Sequence, residues 1–185
     1  DLESSIKQLK SKAEQAVREG IKQIILSDKN ISENKMPMPM LLCIGAINTH
    51  LVKLGLRGYV SINVQTGDAL DTHSFATLIG VGATTVNPYL AFDSLYQRHS
   101  KKLFGNFTFD ECVSRYIKSV NLGLLKIMSK MGISVLSSYR GGCNFETVGL
   151  SRTIVKDYFP GMLSKISGIG LKLSLIHISE PTRQE

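Results

Sequence analysis

The stretch YVSINVQTGDALDTHSFATLIGVGATTVN, residues 59–87, decides the fold. Its opening, Tyr59–Val64, is a short apolar run of the kind that forms a buried strand. Gln65, Thr66, Gly67 and Asp68 close that run. A helix is predicted from Asp71 to Ile79, with Gly80 and Gly82 available to end it, and a second short strand at Thr85–Asn87. Strand, helix and strand in direct succession make a βαβ unit, which lays its two strands side by side and parallel.

The same rhythm extends outward. On the amino-terminal side a helix is predicted over Leu2–Glu19, ended by Gly20, and a strand over Ile21–Leu26 whose end carries Ser27 and Asp28. The loop KNISENKMPMP follows, with two prolines, and then an apolar helix over Met40–Leu54, stopped by Gly55. On the other side Pro88 bars easy continuation of the ladder. A helical stretch with basic residues near its end follows, then a long helix from Phe109 to Met131. Ile133–Ser138 reads as a fourth strand, Tyr139–Gly142 as its turn, a helix as running through Phe145 and Val148, and a last helix as covering Thr153–Phe159. The fold class is therefore α/β: repeated βα units forming a parallel sheet or a half-barrel-like arrangement, flanked by helices. In either form ligands gather at the carboxyl ends of the strands. The informative positions are Ser27, Asp28, Gln65–Asp68, Asn87 and Ser137–Gly142.

At 185 residues and 43% apolar the chain suits one globular domain, and no stretch approaches the apolar length of a membrane span. Its net charge of +7 is dispersed, since Lys29, Lys53, Arg57, Arg98, Lys101, Lys102, Lys126 and Lys165 make no dense run, so neither a nucleic-acid nor a membrane partner is expected. Cys43, Cys112 and Cys143 are odd in number and lack a Cys-x-x-Cys pair. That argues against a disulfide framework or a closed zinc site and for a reducing compartment.

Candidate chemistry is thin. SSYRGG, Ser137–Gly142, could hold an anion on backbone N–H groups between a strand and a helix, although an Arg at such a turn more often clamps carbonyls. GVGATT, Gly80–Thr85, lacks the third glycine of a dinucleotide fingerprint and reads as a helix stop. His50, His73 and His99 have no ligand spacing. An Asp71–His73 relay has no nucleophile in a local motif. Cys43 belongs to an apolar helix face, while Cys143 at a helix start could have a lowered pKa. No catalytic, cofactor-binding or metal-binding residue is assigned.

LSLIHISEPTR, Leu173–Arg183, matches the translation of a transposase-type sequencing adapter, so residues 173–185 are expected to be read-through rather than native, and His177 and Pro181 to carry no function. The first residue is Asp1, and the opening has no signal-peptide core. A fragment spanning 1–172 is expected.

ILSDK (25–29), PMLLCIGAINTHLVKLGLR (39–57), QTGDALDTHSFATLIGVGATTVNPYLAFDSL (65–95) and above all LLKIMSKMGISVLSSYRGGCNFETVGL (124–150) closely resemble the central domain of the glutamate synthase large subunit. The likeness runs from Ile21 to Leu171, where SKISGIGL (164–171) looks like the exit toward the family's flavin domain. Departures occur at GAINTHL, where the family has GAVHHHL, at Gln65 for a glutamate, at Ser74 in a family HHF, and at Gly142, Cys143 and Asn144 within a family SYRGAQIFE. No histidine-cluster role is carried over.

The resemblance implies an internal piece of a very large oxidoreductase of ammonia assimilation. In that enzyme a glutaminase domain releases ammonia with a terminal cysteine, the central domain links the parts and helps form an ammonia tunnel, and an FMN domain with an iron–sulfur cluster makes glutamate from 2-oxoglutarate. NADPH, NADH or ferredoxin is the donor, through a reductase small subunit or ferredoxin as partner, in the cytoplasm or a plastid. None of the three cysteines maps onto the nucleophile or the cluster ligands. The segment is expected to bind no cofactor and to be inactive alone. The competing reading is a free-standing phosphate- or flavin-binding module using Arg140 and Gly141.

Overall fold

The computed structural model describes residues 2–32 and 36–171; the segment 173–185 lies outside the described residues. Among these the order is α1 Leu2–Arg18, β1 Gln23–Ser27, α2 Met40–Lys53, a 3₁₀ turn at Arg57–Tyr59, β2 Ser61–Gln65, α3 Thr72–Val81, β3 Thr85–Asn87, α4 Tyr89–Ser100, α5 Phe109–Lys130, α6 Leu136–Tyr139 and α7 Arg152–Tyr158. The three strands form one parallel sheet in the order β1-β2-β3, and the sheet does not close. Gln23 pairs with Ser61 and Ser27 with Gln65, while Asn63 pairs with Thr85 and Gln65 with Asn87.

Period-two burial tells which face packs. Ile62 and Val64 of β2 and Leu26 of β1 are buried, with Ile24 and Val86 partly so, and this face meets the helices. The helix α2 lies at the centre of that layer, packed on α1, α3 and α7. It is apolar almost all round, with Leu42, Cys43, Ile44, Ala46, Ile47 and Leu51 all buried, as a helix covered on several sides must be. The opposite face of the sheet carries Ser27, Ser61, Asn63, Gln65, Thr85 and Asn87. Ser27 Oγ donates to Gln65 Oε1 at 2.7 Å, and Thr85 Oγ1 donates to Asn63 Oδ1 at 2.7 Å.

Helix ends follow local chemistry. Asp71 caps α3 by accepting from the Ser74 amide at 2.8 Å. Thr108 and Glu111 form a reciprocal capping box on α5. Gly82, at φ 145°, ends α3, so GVGATT is the helix stop its glycine count suggests.

Two expected elements are absent. Ile133–Ser138 is not a strand: the Ile133 amide still donates to Met128 O, closing the end of α5, and Leu136–Tyr139 winds a single helical turn. That turn seats Tyr139 (1% exposed) against Ala76, Ile79 and Met128, while Val135 and Leu136 stay exposed. Nor does a helix run through Phe145 and Val148. Gly141, Cys143 and Gly149 all take positive φ, which breaks a helical run, and Glu146 and Leu150 instead bridge to Leu163 and Ile169. The sheet therefore has three strands rather than four. The predicted last helix is present as α7.

Candidate functional site

At the carboxyl edge of the sheet the chain gathers the polar residues that strand ends predict. Asp28, just beyond β1, is the hub. Its carboxylate accepts from Thr66 Oγ1 at 2.5 Å and from the Gly67 amide at 3.2 Å, while burial and the Asp28 carboxylate together hold the Tyr89 phenol above its usual range. Thr66 is fully buried and in turn accepts from the Asp68 amide at 3.2 Å. Burial, with the Asp28 charge beside it, raises the Asp68 carboxyl above the usual range. Lys29 Nζ lies 5.8 Å from the Tyr89 ring centroid, over its face. One carboxylate thus ties the end of β1 to the β2–α3 loop, with Lys29 over the Tyr89 ring bringing the start of α4 to the same rim.

Against this rim lies a cavity of about 510 Å³, lined by Leu26, Ser27, Asp28, Met36, Met40 and Cys43 among others. Its wall is largely apolar and thioether. Desolvation pushes the Cys43 thiol up to about 11, with Asp28 adding to the rise, so Cys43 is a packed hydrophobe there and not a nucleophile.

Ser137–Gly142 does not join this cluster. The Gly141 amide donates to Gly80 O at 2.8 Å, at the end of α3 that leads into β3, which places the segment at the amino edge of the sheet. Since no strand enters it and no helix follows it, the backbone cradle that SSYRGG suggests is not formed. Cys143 likewise heads no helix: it sits exposed in a left-handed turn at φ 52°, its Sγ 3.6 Å from Gly141 O and Pro160 O.

The clamp expected of Arg140 belongs to Arg57. Its guanidinium donates from Nε to Asn48 Oδ1 at 2.7 Å, and through its two terminal nitrogens to Val60 O at 2.6 Å and Gly82 O at 2.8 Å. Sequence reading counted Arg57 only as dispersed charge. The signal available was its place in a short Gly-bounded turn between α2 and β2, where carbonyls are left over.

His50, His73 and His99 make structural contacts. His50 Nε2 lies 2.9 Å from Glu14 Oε2, joining α2 to α1, and the Arg18 and His50 contacts hold Glu14 below the usual carboxyl range. His73 meets Phe145 edge-on, and His99 Nε2 lies 3.0 Å from Phe107 O. Asp71 is spent as a cap, so the Asp71–His73 relay does not form. Among the described residues no three His, Cys, Asp or Glu side chains gather as a metal group would need. No helix among them is long and apolar enough to cross a membrane.

Residues 1–151 match the family model described as the glutamate synthase central domain. The chain is 50% identical over 170 residues to the glutamate synthase [NADPH] large chain of Azospirillum brasilense, an alignment covering 92% of this chain and 11% of that protein. It is 40% identical over 181 residues to the chloroplastic ferredoxin-dependent glutamate synthase of Spinacia oleracea, covering 92% and 11%. With the glutamate synthase [NADH] of Schizosaccharomyces pombe it shares 36% over 167 residues, covering 90% and 8%. The chain spans about a tenth of the length of these relatives, whose names carry three different electron donors. Ordered agreement across the βα units, from the α1 helix to the turn before α7, makes this chain a member of the glutamate synthase family through its central domain.

Proposed function

We propose that the chain is an internal segment of a glutamate synthase large chain that links a glutaminase domain to an FMN domain and walls part of the ammonia passage between them, without catalytic residues of its own. The observation that carries this reading is the carboxyl-edge rim. Asp28, Thr66 and Gly67 satisfy one another, so the rim is built to hold loops in place rather than to react. Beside it the half-open cavity lined by Met36, Met40 and Leu26 offers a largely apolar wall. Transfer of ammonia between sites needs enclosure against water, which such a wall supplies once another part of the parent closes over it. FMN, the iron–sulfur cluster and the donor, whether NADPH, NADH or ferredoxin, belong to other parts of the parent or to a reductase subunit. The compartment, cytoplasm or plastid, is the parent's. The segment turns over nothing by itself. Residues 173–185 are read-through rather than the parent's own sequence, and independent amplification of the coding DNA is expected to read differently there.

The test fills the cavity in the full-length large chain. Met36 lines it and is 46% exposed, so Met36→Trp adds bulk without disturbing the core. Glutamine hydrolysis is expected to continue while glutamate formed per glutamine falls and free ammonia appears in the medium. Unchanged coupling between hydrolysis and synthesis sinks the passage reading.

A further inference from the structure

Two guanidinium groups from distant parts of the chain, Arg57 and Arg140, line a single cavity of about 470 Å³ on the opposite, amino edge of the sheet. The wall also includes Asn48, Ser61, Thr84 and Gly141 but no Asp or Glu, and among the described residues neither arginine forms an ion pair. Arg57 is fixed in place. Its three bonds to Asn48, Val60 and Gly82 use three of its five N–H donors and hold the plane of the group still. Arg140 differs: its Nε is buried and has no hydrogen-bond partner. A buried, unpartnered donor beside a second like charge is a costly arrangement in a folded protein, and each such group calls for an explanation. Burial and the nearby Arg140 charge both weaken the hold of Arg57 on its proton, as expected for two cations facing one space.

An oxyanion in the cavity offsets the repulsion between the two guanidinium groups, accepts from the terminal nitrogens of Arg140, and can take a donor that Arg57 has left over. We propose that this cavity is an oxyanion site for phosphate or a carboxylate, with Arg57 as its fixed wall and Arg140 as the side chain that reads the ligand. It is distinct from a backbone cradle, because the donors are two side chains from different elements, and it is independent of the ammonia-passage reading.

The experiment uses the whole 185-residue chain at constant ionic strength, with inorganic phosphate exchanged for chloride in one series and acetate in another. Saturable ligand binding to the folded state raises the thermal midpoint. Phosphate or acetate is expected to raise it in the wild type, and which of the two does so identifies the ligand class. Arg140→Gln is expected to weaken the apparent affinity by about tenfold or more, Arg140→Lys to keep part of it, and the exposed Lys130→Gln to leave it unchanged. Since Arg140 Nε has no protein partner to lose, Arg140→Gln without anion is expected to melt no lower than wild type. Titration of the wild type, followed by the Arg140 Nε–H resonance, gives a readout that needs no variant. A resonance unmoved by either anion, or an equal midpoint rise in wild type and Arg140→Gln, overturns the assignment.

Discussion

Asp28 carries more of the carboxyl edge than any neighbour, because two donors of the β2–α3 loop, the Thr66 hydroxyl and the Gly67 amide, converge on it. Removing its side chain leaves the fully buried Thr66 hydroxyl and the Gly67 amide without that acceptor. Asp28→Ala is expected to destabilise the chain by about 3 kcal/mol, the scale of leaving buried polar groups unpaired, measurable by urea unfolding. A loss well below 1 kcal/mol would mean that the rim does not depend on Asp28. Beside it, Cys43 gives a pH-dependent test. Its thiol is raised from about 9 to about 11 by burial, so the neutral form is favoured in the folded state. Stability linked to Cys43 is full below pH 9 and is lost as pH rises from there toward 11, by about 3 kcal/mol across the two-unit shift. Cys43→Ala is expected to cost stability at neutral pH yet to lose less than wild type on going alkaline. Parallel pH curves for the two proteins would contradict the assignment. Both residues were visible in the sequence, one as a polar strand end and one as part of an apolar helix face. What the sequence did not reveal was that the first closes over its own neighbours, since the convergence of Thr66 and Gly67 on Asp28 exists only once β1 and β2 lie side by side.

Among the elements, α2 shows how a glycine sets a helix contact. Gly45 faces α7, and a Cβ there would lie 2.5 Å from Phe159 Cε1 and 2.9 Å from Tyr158 O. An exposed Gly→Ala change in a helix gains about 1 kcal/mol, but here the overlap prevails. Gly45→Ala is expected to lower stability by about 1–3 kcal/mol, the usual cost of overpacking. A midpoint at or above wild type in calorimetry would show that α7 can shift aside. Elements bounded by their own punctuation were legible: Gly20, Gly55 and Gly82 stop helices as expected, and three strands with their flanking helices followed from them. The fourth strand was not. ISVLSS is too short for its period to be told apart from a helical turn, and what decides it is the long-range pocket under Tyr139, formed by α3 and α5. Arg57 escaped for a related reason, since its acceptors on Val60 and Gly82 are left over only by the ends of two different βα units.

Parallel sheets are ordinarily covered on both faces, because crossover connections place helices on each. Here all the packing described lies on the side of Ile62 and Val64, while the other face is open: Ile25, on the edge strand β1, is 69% exposed, with Asn63 and then Thr85 beside it in register. An exposed isoleucine between polar neighbours is poorly matched to water but well matched to a second layer. The chain also spans about a tenth of the length of its relatives, so far more of such a protein lies outside it than inside. Within a full-length large chain, this face is therefore expected to be covered by another part of the same protein. A thiol at position 25 reports on this directly. Ile25→Cys in a Cys143→Ser background leaves Cys43 and Cys112 buried, so maleimide labelling reads position 25 alone in the 185-residue chain, and in the full-length enzyme the modification is quantified on the peptide that carries position 25. Labelling is expected to be fast in the 185-residue chain and at least tenfold slower in the full-length enzyme, the factor produced by about 1.4 kcal/mol of protection. Equal rates in both would mean that the sheet keeps a bare face in the assembled enzyme, and that the polar rows Ser27–Gln65 and Asn63–Thr85 are a solvent surface and not the inner lining of a larger α/β body.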